Sequence, residues 1–352
     1  MDLSGRRESG NVDDRRGQSG GGNFGGFSTG GGGGLNIIQL ILSLLMMRRS
    51  SGSSNASGGG KGGCGCLGIV IVLVVLFLMM QMMGGGCSDL GSILGGGSYG
   101  SGYNNGYNEG YETEEEATSG SSTSGSSSYQ GTAQEEELAK FTRQILAGTE
   151  DIWTEQFQKM GKTYVAPKLV LYTNAISTGC GQGSASTGPF YCSADQTVYI
   201  DLSFFMTMKQ QLGADGDFAY AYVIAHEVGH HVEYLLGTLE KCHNQMARYG
   251  QDTKEYNQLS VRLELLADFY AGVWAYHDNK EFHSLQEGDI EEGMNAANKI
   301  GDDYLQKKAR GYTQPESFNH GTSAQRSKWL KLGLSTGDMS KGTTFNCSYE
   351  DL

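Results

Sequence analysis

Proline is scarce in this chain, with three among 352 residues, and no G-x-y period is kept, so a collagen-like rod is excluded despite 55 glycines. Positive charge is scarce too. Lys and Arg number 26 against 39 Asp and Glu, a net charge of −13 with no basic stripe, which excludes nucleic acid as a partner. No base occurs between Lys61 and Lys140. Cysteine is sparse: seven residues with no C-x-x-C pair, which disfavours a cysteine-ligated zinc site. What remains is an acidic chain with unevenly spread glycine, 35 residues within 1–133 and 20 in the rest. One domain of about 200 residues fits after residue 133, with enough length to bury a core.

Residues 1–66 are Gly-rich and polar, with seven bases against four acids. From Met1 to Gly34 there is too little apolar surface to offset ordering entropy, so this stretch is expected to be disordered. Leu35–Met47 is apolar, but thirteen residues rise only about 20 Å as a helix, too short to span a bilayer. Arg48 and Arg49 follow at once, which fits a helix lying on a membrane surface; a short helix packed on protein is the other reading. Residues 67–83 (LGIVIVLVVLFLMMQMM) carry no charge and are flanked by glycine, the pattern of one transmembrane helix. The segment starts too late and lacks the small-x-small exit of a cleaved signal peptide. The bases before it put the N-terminus in the cytoplasm and the C-terminal part outside, in a single-pass protein of the cytoplasmic membrane. Residues 84–133 hold six acids and no base and read as a flexible acidic Gly/Ser linker.

From residue 134 to 352 the composition is globular. Glu135–Met160 repeats apolar residues at a helical period, as do Phe218–Leu236, Gln258–His277 and Asp289–Lys308. Pro167–Asn174 and Thr197–Leu202 alternate or run apolar as strands do. The order helix, strands, helices predicts an α+β domain, mainly helical with a small sheet. The Thr197–Leu202 strand is either a plain core strand or an edge that pairs with an extended peptide. Of the cysteines beyond the linker, Cys180 and Cys192 bracket a Gly/Ser-rich loop, so they are expected to pair, with Cys242–Cys347 as the complement. Four cysteines allow three pairings.

The chemistry is concentrated in His226-Glu227-Val228-Gly229-His230, an H-E-x-x-H on a helical pattern. Residues i and i+4 share a helix face, so both imidazoles reach one metal, and Glu227 beside them is placed to act as base on a water. A catalytic zinc needs a third ligand and an open position. Glu264 is the best candidate, a carboxylate among Val261, Leu263, Leu265 and Leu266; the bland alternative pairs it with Arg262 or Lys254. His243 and His320 are weaker candidates for the third ligand. Asp268, four residues after Glu264, is placed to accept an N–H from a ligating histidine. His231 turns away from His230 and is not expected on the same metal. His320, in a polar turn, and Tyr270 are candidates to stabilise an oxyanion.

The runs AHEVGHHVE, RLELLADFYAGVWA, GPFYCSADQTVYIDLSFF and ESFNHGTSAQR, with Arg7–Gly17 near the start, together resemble the bacterial neutral zinc metallopeptidase family. The resemblance implies a membrane-anchored, zincin-like peptidase with Zn2+ on His226, His230 and Glu264 and with Glu227 as base, acting on protein or peptide substrates. Phe269 departs from the pattern, since relatives often place a cysteine after the Ala-Asp pair. The competing reading is a non-catalytic, metal-stabilised interaction module tethered to the bilayer; a metal-dependent hydrolase of another bond is a third. Elemental analysis of the purified protein should find about one zinc per chain, lost on His226→Ala; a folded, metal-replete protein without zinc would favour the interaction module.

Overall fold

The computed structural model describes residues 1–18, Tyr129 and 131–352. The surface helix at 35–47, the transmembrane helix at 67–83 and nearly all of the 84–133 linker lie outside the described residues. Among the described residues, no helix is long and apolar enough to cross a membrane.

The globular part is mainly helical with a small mixed sheet. Strand β1 (Val12–Asp14) precedes helix α1 (Ala133–Lys159), whose start is fixed by a reciprocal cap between Thr132 and Glu135. Five strands follow: β2 (Lys168–Tyr172), β3 (Ala175–Thr178), β4 (Gly181–Ser184), β5 (Phe190–Cys192) and β6 (Thr197–Asp201). The main sheet runs β1-β2-β6-β5, parallel except for the antiparallel β5–β6 pair, while β3 and β4 form a separate antiparallel ribbon. All five residues of β6 are buried and strands flank it on both sides, so it is a core strand and not the peptide-pairing edge. The edges of this sheet among the described residues are β1 and β5.

A short helix α2 (Ser203–Thr207) leads to α3 (Asp217–Leu235), α4 (Thr238–Met246), α5 (Lys254–Phe282), α6 (Asp289–Lys299), α7 (Asp302–Arg310) and α8 (Ser323–Thr336). The single helix expected over 289–308 is interrupted at Ile300 and Gly301. There the backbone lies against the start of α8, and a Cβ on Gly301 would stand 2.3 Å from the Ser323 amide nitrogen. Helix α3 is apolar on nearly every side because it is enclosed, with only four of its nineteen residues outside the buried set.

Two close helix contacts position the site. A Cβ on Gly229 would lie 2.9 Å from the Ala267 carbonyl oxygen, so α3 and α5 touch backbone to backbone at the middle of the H-E-x-x-H motif. A Cβ on Gly333 would lie 2.1 Å from the Phe269 carbonyl oxygen, which brings α8 equally close to α5.

Two expectations need correction. Met1–Gly34 was expected to be disordered, yet residues 1–18 are docked: β1 extends the sheet by pairing with β2, and Arg16 is buried. The segment has no core of its own; it borrows a sheet edge and buried carboxylates from residues far along the chain. Cys242 and Cys347 are free thiols, not a second disulfide. Cys242 sits in an apolar cluster with Leu239, Met246 and Leu263, its Sγ directed at the Leu259 carbonyl, while the Cys347 Sγ faces the Thr344 carbonyl. Cys180 and Cys192 are bridged, with an S–S distance of 2.07 Å.

Gly229→Ala should force α3 and α5 apart. The expected cost is about 1–3 kcal/mol, read as a fall in melting temperature of about 2–4 °C per kcal/mol, together with weaker zinc binding. Gly250→Ala, whose nearest neighbour to a new Cβ is 3.5 Å away, should change neither.

Candidate metal centre

Helix α3 presents His226 and His230 on one face, and α5 presents Glu264 to them. The ligand atoms of these three side chains lie within 4.8 Å of one another. Glu264 Oε2 is 3.2 Å from His226 Nε2, and Oε1 is 3.6 Å from His230 Nε2. Of the two alternative partners of Glu264, Arg262 donates to the Thr344 and Cys347 carbonyls, and among the described residues the ion pairs of Glu264 are with His226 and His230, not Lys254. His243 is not among the three grouped side chains.

Each imidazole is held from behind by a carboxylate. Asp268 Oδ1 accepts from His226 Nδ1 at 2.8 Å, and Glu233 Oε2 accepts from His230 Nδ1 at 2.9 Å. Donation from Nδ1 turns both Nε2 atoms toward Glu264, the orientation a metal ligand requires. Asp268 is fully buried and receives three further bonds: from Arg326 Nε and Nη2, each at 2.9 Å, and from the Tyr222 hydroxyl at 2.5 Å. Burial works against its charge, but Arg326 and then His226 hold its pKa down to about 2.

Three carboxylates therefore surround two imidazoles in a largely enclosed space. Burial opposes the Glu264 charge, yet His320, His230 and His226 hold this carboxyl well below the usual range. Burial likewise disfavours a charged His226, but Asp268 outweighs it and pushes the imidazole up to about 10. The cluster thus demands positive charge between its ligand atoms. Two nitrogens and a carboxylate oxygen converging on one point fit a divalent cation.

Glu227 is 8% exposed and has no hydrogen-bond or ion-pair partner among the described residues. It lines a cavity of about 200 Å³ together with His226, His230, Glu264, His320 and Arg326, faced by the apolar Phe190, Phe204, Val223 and Ile300. His320 is fixed by Asp302, which accepts from its main-chain N–H at 2.7 Å and contacts Nδ1 at 3.3 Å. Tyr270 is not in the cavity wall; it is buried against Trp153 and Phe269, which removes it as an oxyanion partner. His231 is structural: Nε2–H donates to the Val165 carbonyl at 2.7 Å, so Nδ1 accepts from the Tyr191 hydroxyl at 2.9 Å. That bond ties β5 to α3.

A family described as "Putative neutral zinc metallopeptidase" matches residues 44–345. The chain belongs to this family. Among its relatives is the uncharacterized protein YpfJ of Escherichia coli K12, 56% identical over 214 residues, 61% of this chain and 74% of that protein. Uncharacterized protein Rv2575 of Mycobacterium tuberculosis H37Rv is 40% identical over 195 residues, 53% of this chain and 64% of that protein. No solved structure matches. The histidines and glutamate that carry the zinc metallopeptidase resemblance are the residues that converge here.

Glu233, Tyr222 and Arg326 were missed in the sequence. Glu233 had a signal, since it stands three residues after His230 on the same helix. Arg326 had none, because its partner lies on another helix. Asp268→Asn and Glu233→Gln should each weaken zinc binding about 10–100-fold, read by competition with a chromogenic chelator, with the circular-dichroism spectrum unchanged.

Proposed function

We propose that this protein is a membrane-anchored zinc peptidase that hydrolyses peptide bonds in protein or peptide substrates. The observation that carries this reading is Glu227: a free carboxylate in the same cavity as the His226, His230 and Glu264 ligand atoms. A site built only to hold a metal for stability has no use for it. Zinc is the ion favoured by the family and by the two-nitrogen, one-oxygen donor set.

His226, His230 and Glu264 would hold zinc, which would supply Lewis acidity and make a nearby water more acidic. Glu227 accepts the proton of the attacking water and passes it to the leaving amine. His320, aligned by Asp302, and Arg326 line the same cavity and are the groups available to hold negative charge on the carbonyl oxygen. Arg326 spends Nε and Nη2 on Asp268 and Tyr222, and among the described residues no bond occupies Nη1. Phe190 and Tyr191 of β5 form part of the cavity wall. An extended substrate is therefore received along β5, where main-chain hydrogen bonds give affinity without strong side-chain choice.

The anchor in this reading is the apolar run 67–83, and the Cys180–Cys192 disulfide favours an oxidising compartment, on the outer face of the cytoplasmic membrane.

Glu227→Gln should lower peptide hydrolysis at least about 100-fold while zinc content stays at the wild-type level. Unchanged turnover would overturn the peptidase reading, and hydrolysis of ester but not peptide substrates would redirect it to another bond.

A further inference from the structure

The Arg7–Gly17 motif takes no part in the chemistry proposed above. It lies ahead of the apolar run 67–83, whereas the metal centre lies after it. A chain that crosses a bilayer once between them would place the two on opposite faces, and the contacts of residues 1–18 do not allow that.

These contacts belong to the interior of the fold. Asp278 on α5 is fully buried, and the cation paired with it is Arg6, whose Nη2 donates at 2.8 Å; the Ser284 hydroxyl donates at 2.5 Å. The Arg6 guanidinium also lies 3.7 Å from the centre of the Phe282 ring. Glu150 on α1 accepts from the Ser9 hydroxyl at 2.5 Å and the Asn11 amide at 2.7 Å, and pairs with Arg7 at 2.9 Å. Main-chain bonds run from Leu169 N–H to the Asn11 carbonyl and from Arg15 N–H to the Leu171 carbonyl, completing the β1–β2 ladder. Without residues 1–18, Asp278 would be a buried carboxylate with no counter-charge, and β2 would present an open edge.

The two ends of the stretch 19–128 also leave from one place. The Arg16 guanidinium sits 5.4 Å from the Tyr129 ring centre and pairs with Glu136 at 3.0 Å, just inside α1. The chain departs beside Gln18 and returns beside Tyr129.

We propose that Met1–Gln18 is an integral part of the domain that carries the metal centre, and that both therefore lie on the same face of the membrane. This departs from the single crossing with a cytoplasmic N-terminus expected from the sequence. This rests on the docking and on membrane attachment, but not on the peptidase reading.

The test uses the full chain with Cys64, Cys66, Cys87, Cys242 and Cys347 replaced by alanine and one reporter cysteine restored, at exposed Ser4 or exposed Lys241. Membrane vesicles of right-side-out and inverted orientation are treated with a membrane-impermeant maleimide. The expected result is that both reporters react in the same vesicle orientation and are protected in the other. Labelling of Ser4→Cys and Lys241→Cys in opposite orientations would overturn the proposal. A second measurement needs no cysteine replacement: Arg6→Asp and Asp278→Arg should each lower the melting temperature of the detergent-purified full chain, and the double exchange should restore part of the loss. Additive losses with no restoration would also overturn it. Neither readout depends on zinc or on hydrolysis, so failure here and failure of the peptidase reading are separable.

Discussion

The site depends on two helices touching where neither has a side chain to spare. Gly229, inside the H-E-x-x-H motif, lies against the backbone of α5 at Ala267. Beside that contact, Glu264, three residues before Ala267, and Asp268, one after it, meet the imidazoles that flank the glycine. A larger residue at 229 would hold α5 off, and the carboxylate would fall short of the histidines. The glycine contact between α5 and α8 at Gly333 does the same for Arg326. Close backbone packing is thus what converts sequence spacing on three separate helices into a single constellation.

That packing also concentrates charge where water is largely excluded, and the charges are balanced in order. Arg326 and Tyr222 hold Asp268, Asp268 holds His226, and Glu233 holds His230, so both rings direct Nε2 at Glu264. Burial pushes the Glu233 carboxyl up to about 7, against which His230 acts. Such an arrangement is rigid because each group would be costly to leave unpaired. Rigidity suits a ligand set that must keep its geometry while a substrate enters and leaves. The less restrained member is Glu227, the side chain on which proton transfer falls.

Local pattern revealed the long elements and the ligands, and nonlocal contact hid the rest. The apolar run from Phe218 and the i, i+4 histidines marked α3 and its metal-facing side, and the carboxylate among leucines marked Glu264. Those signals work because helix periodicity alone decides which residues share a face. Arg326 was invisible for the opposite reason: it reads as an ordinary base in S-A-Q-R-S until α8 is laid against α5. β1 was hidden more completely. Two of its three residues are Asp, a poor strand former, and they become a strand because β2 offers an edge and Glu150 and Asp278 offer acceptors to the flanking Arg6, Arg7, Ser9 and Asn11. The break between α6 and α7 escaped for the same reason, since Gly301 acts through Ser323 on another helix.

The pairing of β1 with β2 also imposes an order on folding. Val12 meets Leu169, and Arg6 meets Asp278, so the first residues made must wait for some of the last. At a synthesis rate of about 5–20 residues per second, Asp278 is made roughly 15–55 s after Arg6. Closing so long a loop is entropically costly, though the cost grows only slowly with length. The amino-terminal strand is therefore made before the partners that seat it, β2 and Asp278.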